Sequence, residues 1–72
     1  MYIKNQMEGN KTEFLATSSG DIATLPTTTE EGTGGKAPGD NAKCAFGSTC
    51  LLVDGSTTEV YILDPTNTWV VM

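Results

Sequence analysis

Two cysteines and a set of carboxylates are the residues of this chain whose types could support chemistry. Cys44 and Cys50 form a CxxxxxC pattern in a sequence that has no histidine and no arginine. Without histidine this spacing is not that of a zinc site, and acid–base or triad chemistry based on histidine is excluded. Neither thiol has a basic neighbour that would favour the reactive thiolate. We therefore expect no nucleophilic or metal-binding role for either cysteine.

The same two cysteines leave two structural interpretations open. A disulfide is conceivable across the Phe46-Gly47-Ser48 turn. The N-terminal sequence MYIKNQMEGNK has no apolar signal core, so we do not expect ordinary secretion into an oxidising compartment. The alternative, which we favour, is that Cys50 is a small apolar residue buried on a strand.

The carboxylates do not form a recognisable site. Glu30-Glu31 lies in a polar stretch where both side chains would be solvated, and Asp54 is better suited to a turn than to a pair with Glu59. The DGSTT stretch that begins at Asp54 lacks the repeated oxygen ligands of a calcium loop. Gly34-Gly35 is not flanked by the strand, helix and Ser/Thr that a phosphate loop needs. The sequence thus predicts no catalytic residue, cofactor or metal site, and we expect a protein that is not an enzyme.

The net charge of the chain limits the classes of partner that it is expected to bind. Nine acidic residues against four lysines give a net charge of −5 over 72 residues. Such a chain has no basic surface for nucleic acid, and anionic membranes are disfavoured for the same reason. The apolar runs are also far too short to span a bilayer. We expect neither a nucleic-acid partner nor a membrane partner.

The last third of the chain carries the clearest pattern of secondary structure. Three apolar runs predict strands at about 48–54, 59–63 and 69–72. Asp54-Gly55 begins the first turn, in which Gly55 can adopt a positive φ. The second turn begins at Asp64-Pro65, and Asn67 can visit the left-handed region. The predicted fold is mostly β, with a small C-terminal three-stranded antiparallel meander.

Both faces of that meander are apolar. Leu51 and Val53 alternate with Cys50 and Leu52, so neither face is left to polar residues. A sheet of this size can bury one face at most, and another chain is the natural cover for the second. The predicted interaction residues are Leu51, Val53, Val60, Tyr61, Ile62, Trp69 and Val70. Tyr61 and Trp69 could also form an exposed sugar-binding surface, but we favour packing within the sheet.

The sequence before the meander predicts little independent structure. Residues 1–26 are expected to form an extended arm with short strands, and 27–42 read TTTEEGTGGKAPGDNA, which is the composition of a linker. Residues 43–72 would then be a β-meander anchor, and a partner would order the arm. The predicted arm contacts are Tyr2, Ile3, Phe14, Leu15 and Leu25.

Several segments resemble a group of short proteins encoded by tailed phages and prophages. The resemblance covers Leu25-Pro26 and then the three segments KCAFGSTCLLVD (43–54), EVYIL (59–63) and Trp69-Val70. Members of that group share a C-terminal pattern of G-S-[ST], an apolar strand, a V-Y-[MI]-[LF] strand and a terminal W-V. They are typically encoded among virion morphogenesis genes and have no known enzymatic role.

The resemblance implies a virion structural protein made in the host cytoplasm. The expected role is a capsid-associated cement, decoration or head-fibre component that forms homo-oligomers and binds the major capsid protein or another virion protein. A tail or baseplate component is the next expectation. A small acidic phage-encoded inhibitor of a host protein is the remaining alternative, although its carboxylates would need to gather on one surface.

Overall fold

The computed structural model describes residues 1–9 and 11–72, except for the side chain of Glu8. It contains one five-stranded mixed sheet and two short 3₁₀ helices, at Ser19–Thr24 and Pro38–Asn41. The strands are β1 (Tyr2–Glu8), β2 (Lys11–Ala16), β3 (Thr49–Asp54), β4 (Thr57–Leu63) and β5 (Trp69–Val71). They lie in the sheet in chain order. The expectation of a mostly β fold is confirmed.

One strand pair sets the topology. β2 and β3 are parallel, and the other neighbouring pairs are antiparallel. Parallel neighbours cannot be joined by a hairpin, because the chain must return to the starting end of the sheet. Residues 17–48 make that return, and we call them the crossover layer. Both 3₁₀ helices belong to it.

Local sequence accounts for the two C-terminal turns. Gly55 has φ +61° and Asn67 has φ 63°, so both occupy the left-handed region that the sequence predicts for them. The Oδ1 atom of Asp64 accepts hydrogen bonds from the backbone N–H groups of Thr66 and Thr68 at 2.9 and 3.1 Å. This side chain therefore organises the turn that leads into β5.

The core lies between one face of the sheet and the crossover layer, and we call that face the inner face. The strands contribute alternate residues to it: Tyr2, Phe14, Ala16, Cys50, Leu52 and Leu63. The crossover layer contributes Leu25 and Cys44, and Pro26 is also buried. Tyr2 and Phe14 pack edge to face with ring centroids 5.5 Å apart.

Hydrogen bonds fasten the crossover layer to the sheet. The Tyr2 hydroxyl donates to Asn41 Oδ1 at 2.7 Å and lies 3.1 Å from the carbonyl oxygen of Thr24. Gly32 lies against the same hydroxyl, so closely that a Cβ at Gly32 would collide with it. At the opposite edge of the sheet, near β5, Asn67 Oδ1 accepts hydrogen bonds from the backbone N–H and the hydroxyl of Thr28. The layer is thus held at both β1 and the turn before β5.

The strands expected within residues 1–26 are present, but the segment is not the extended arm that the sequence predicts. That segment forms β1, β2 and a 3₁₀ helix, and β2 joins the C-terminal strands through its pairing with β3. Three of the five predicted arm contacts, Tyr2, Phe14 and Leu25, are core residues. The prediction was wrong because the short apolar runs near the N-terminus gain their strand partners from distant parts of the chain.

The linker expected over residues 27–42 also belongs to the folded domain. Its backbone bonds to other parts of the crossover layer, as in Thr33 N–H to the Thr24 carbonyl at 3.0 Å and Cys44 N–H to the Thr27 carbonyl at 3.1 Å. A parallel bridge between Tyr2 and Gly35 joins it to β1. Small residues allow these close backbone approaches, which composition alone does not reveal.

The C-terminal strands lie close to their predicted places but are not a separate unit. The structure has strands at 49–54, 57–63 and 69–71, where the sequence predicts 48–54, 59–63 and 69–72. They are the last three of five strands and share one core with the first two. Residues 1–26, 27–42 and 43–72 are therefore parts of one small domain.

Candidate interaction surface

The face of the sheet that points away from the crossover layer, which we call the outer face, is aliphatic across all five strands. The pairing registers align Ile3 with Leu15, Leu15 with Leu51, and Leu51 with Val60. Met72 continues this row, because its backbone N–H donates to the Val60 carbonyl at 2.8 Å. A second row places Ile62 beside Val70. Side chains alternate along a strand, so these residues share one face.

The aliphatic side chains of the outer face are accessible to solvent. Leu51 and Val53 are each 40% exposed, and Val60 and Val70 are 39% and 37% exposed. Their strand neighbours Cys50 and Leu52 are completely buried on the inner face. Ile3, Leu15 and Ile62 are half-buried, since they pack only against their neighbours in the sheet. The outer face is therefore an apolar surface that the chain itself leaves uncovered.

Few charges interrupt this surface. By the alternation of β2, Lys11 and Glu13 lie on the same face as Leu15. Lys11 is at the end of the sheet away from Ile3, whereas Glu13 is directly beside Leu15 along β2 and opposite Thr49, in the row that continues to Ile62. At the other end of the face, Lys36 lines a hollow with Ile3 and Leu15. Gln6, which pairs with Glu13, and threonines fill the other polar positions, with Thr49 opposite Ile62 and Thr58 opposite Val53. Burial of the outer face against another apolar surface would thus desolvate methyl groups and hydroxyls rather than an array of carboxylates.

The cysteines are structural. Both thiols are free and buried, and no disulfide links them. Burial, together with the negative charge of Asp21, raises the pKa of the Cys50 thiol from 9.0 to about 11. Burial also raises the pKa of Cys44, and its sulfur lies 3.6 Å from the Pro26 carbonyl oxygen. Raised pKa values oppose the thiolate that nucleophilic chemistry requires.

The aromatic residues belong mainly to the core. The Trp69 indole N–H donates to the Pro26 carbonyl at 3.0 Å, and its ring packs edge to face on Phe14 with centroids 6.0 Å apart. Tyr61 pairs with Cys50 on the inner side of the sheet and packs against the core. The preference for packing over an exposed sugar-binding platform is confirmed for Trp69.

The described residues contain no cluster of three or more histidine, cysteine or acidic side chains that could hold a metal ion. Their hollows are shallow and open, such as one between Ile3, Leu15 and Lys36 and another beside Trp69 and Asn67. In the same part of the chain, no helix is long and apolar enough to cross a membrane.

The predicted interaction residues divide between the two faces. Leu51, Val53, Val60, Ile62 and Val70 lie together on the outer face, whereas Tyr61 and Trp69 lie on the inner side. Of the predicted arm contacts, Ile3 and Leu15 also lie on the outer face. The structure thus places predicted arm contacts and predicted interaction residues of the C-terminal strands on one surface, whereas the sequence pattern assigned them to separate segments.

The sequence did not predict this shared surface, because nothing in it indicated that β2 pairs in parallel with β3. A signal for β2 itself was present in KTEFLA (11–16), where the buried Thr12, Phe14 and Ala16 alternate with Lys11, Glu13 and Leu15. That alternation indicates a strand in a sheet covered on one side. Met72 was likewise not assigned to the surface, although it ends the central row.

Comparison with known proteins adds no relative. No family model matches the chain, and neither a curated protein nor a solved structure is detectably similar to it.

Proposed function

We propose that this chain is a structural subunit of a tailed-phage virion, and that it acts by binding other protein subunits rather than by catalysis. The observation that carries the proposal is the aliphatic outer face, where Leu51, Val53, Val60 and Val70 remain accessible on a folded sheet. Apolar surface of this extent on a small soluble domain favours a role in protein association.

The resemblance in residues 43–54, 59–63 and 69–70 supplies the virion context. Within that context, we propose a capsid-associated cement, decoration or head-fibre component that is made in the host cytoplasm and is present in many identical copies. The three C-terminal strands, taken as the anchor, contribute most of the outer face through Leu51, Val60 and Val70. A binding role of this kind needs no cofactor and no metal.

The charge pattern disfavours the alternative of an acidic inhibitor that mimics nucleic acid. A mimic needs carboxylates gathered on one surface to replace a row of phosphates. On the outer face, the described acidic side chain is Glu13, and Asp21, Asp54 and Asp64 are engaged in hydrogen bonds with turns and backbone on other parts of the domain. The apolar surface and the acidic residues are therefore separate features.

Co-sedimentation with virion particles tests the proposal. Capsids and tails are purified separately from the phage or prophage that encodes the chain, after deletion of its gene, and each is mixed with the purified protein. We expect saturable binding to capsids at a fixed number of copies per capsid subunit. Binding to tails alone would move the protein to the tail or baseplate, and binding to neither particle would contradict a virion role.

A further inference from the structure

We infer that the outer face packs against the outer face of a second copy of this chain, so that two five-stranded sheets form a β-sandwich around a twofold axis. The inference deepens the proposed function, on which it rests, by naming the partner of the surface already described. Its central contact would be the row through Leu15, Leu51 and Val60, which lies on the three middle strands. The crossover layers would then form the two outside surfaces of the dimer.

The side-chain composition of the outer face favours another copy over an unrelated protein. Interfaces between different proteins concentrate their binding energy in tyrosine, tryptophan and arginine anchors that fill pockets. At its strand positions the outer face has mainly leucine, isoleucine, valine, methionine and threonine, with Gln6, Lys11 and Glu13 on the first two strands, and the chain has no arginine. Tyr2, Phe14 and Trp69 all pack on the inner side. A low-relief aliphatic surface suits the packing of one sheet on another.

The charge distribution is compatible with self-association on this face. Each copy carries a net charge of −5, so two copies repel unless their contact avoids the carboxylates. On the outer face, Glu13 is accompanied by Lys11 from the same strand. A face-to-face pair thereby brings the least acidic side of each copy into contact, whereas pairing through the crossover layer would bring together Asp21, Glu30, Glu31 and Asp40.

The size of the outer face fits a weak dimer. With strands about 4.8 Å apart and residues rising about 3.3 Å each, two rows across five strands and a third row over β3 and β4 cover roughly 400 Å² of flat area. The whole domain measures 30 × 25 × 20 Å, so flanking loops can add only a modest rim. A standard specific interface buries about 800 Å² of accessible surface per partner. We therefore expect a dissociation constant in the micromolar range rather than a permanent dimer.

Two valines provide a matched test. Val60 on β4 lies on the outer face and is 39% exposed, whereas Val71 on β5 pairs with Tyr61 on the inner side and is 54% exposed. Val60→Glu and Val71→Glu introduce the same charge and the same loss of strand propensity on neighbouring strands. Sedimentation velocity from about 1 to about 500 µM spans the expected association range.

The expected result is a wild-type mass that rises with concentration toward twice the chain mass of 7.6 kDa. Val71→Glu should follow the wild type, and Val60→Glu should bind itself at least about tenfold more weakly, because a carboxylate would be buried at the centre of the contact. The fluorescence of Trp69 and the far-ultraviolet circular dichroism should show that both variants remain folded. If Val60→Glu unfolds, Val60→Lys and Val53→Glu repeat the comparison on the same face.

Each contrary result is informative. A wild-type chain that stays monomeric at about 500 µM, a mass that converges on a trimer, or equal weakening by both valine variants would overturn the sandwich pairing. Particle binding is measured separately, which distinguishes the two proposals. A monomer that co-sediments with capsids leaves the virion role intact and removes the dimer, whereas a dimer that binds no particle retains the pairing and removes the virion role.

Discussion

The inner and outer faces of this sheet are both apolar but have opposite surroundings, and the inner face carries the aromatic side chains. The adjacent residues Leu51 and Leu52 illustrate the difference, since Leu51 is 40% exposed and Leu52 is completely buried. Both belong to the same strand, and the strand alternation sends them to opposite sides. The inner face is covered because residues 17–48 must cross it to make β3 parallel to β2. The topology of one strand pair thus decides which apolar face becomes a core and which stays available to a partner.

The largest expected effect comes from truncating the two neighbouring leucines. Leu52→Ala should lower the free energy of unfolding by about 2–5 kcal/mol, because it leaves a cavity among Phe14, Cys50 and Leu63. Leu51→Ala should cost less in the monomer, about 1 kcal/mol, since its side chain is 40% exposed in the folded chain. Urea unfolding at a low protein concentration measures both values. Equal costs for the two variants would contradict the assignment of the faces.

Trp69 tests how far the inner face extends toward the edge strand. Trp69→Ala should destabilise the fold by about 3 kcal/mol, at the lower end of the range for large aromatic residues, because this ring is only partly buried. Trp69→Phe keeps a ring against Phe14 but removes the hydrogen bond to the Pro26 carbonyl, and should cost about 1 kcal/mol. Thermal or urea unfolding checks both variants. A negligible effect of Trp69→Ala would instead show that the ring is a free surface group.

Tyr2 tests the attachment of the crossover layer to the inner face. Tyr2→Phe removes the hydroxyl that donates to Asn41 Oδ1, and should lower the free energy of unfolding by about 1–2 kcal/mol. Amide hydrogen exchange should rise in residues 32–41 more than in β4, because the loss is local to that attachment. A uniform change along the chain would mean that the hydroxyl stabilises the domain only as a whole. Thr57→Ala, in an exposed position of β4, is a suitable control.

The smallest expected effect concerns the pH dependence of the turn before β5. Hydrogen bonds from the Thr66 hydroxyl and the Thr68 backbone lower the pKa of Asp64 below its ordinary value of 3.8. A lowered pKa in the folded state means that the carboxylate stabilises the fold above the ordinary value and loses this contribution as the pH falls through the folded-state pKa. We therefore expect a small stability loss below about pH 4.

Comparison with Asp64→Asn isolates that contribution. The variant cannot titrate at this position, so its stability difference from the wild type should narrow as the pH falls below about 4. Unfolding curves of both proteins across the acid range measure the difference. A constant difference would show that the charge of Asp64 has no part in the turn.

Local patterns predicted some features of the fold well. Alternation in TCLLVD (49–54) placed Cys50 and Leu52 on one side and Leu51 and Val53 on the other, as the burial of these residues shows. Turn chemistry at Gly55 and Asn67 correctly predicted their positive φ values. These features depend on residues within a few positions of one another, which is why a single sequence reveals them.

Contacts between residues that are distant in the sequence were harder to predict. Tyr2 and Phe14 were predicted to reach a partner from an extended arm, but they pack against each other and against core residues of the same chain. Glycine- and threonine-rich residues 27–42 indicated a linker, because such composition is typical of one. Their order comes from backbone bonds to distant segments, such as Tyr2 N–H to the Gly34 carbonyl at 3.2 Å. No local pattern encodes those partners.

The sequence by itself determined the absence of histidine and arginine, the strand alternation near the C-terminus, and the excess of aliphatic surface on a small sheet. Only the tertiary structure decided which face of the sheet remains exposed to solvent. The parallel pairing of Phe14 with Cys50 and of Leu15 with Leu51 draws the crossover layer over one face and extends the other face into a continuous row. The physical reason is that alternation specifies two sides of each strand, whereas the cover of each side depends on how distant strands pair.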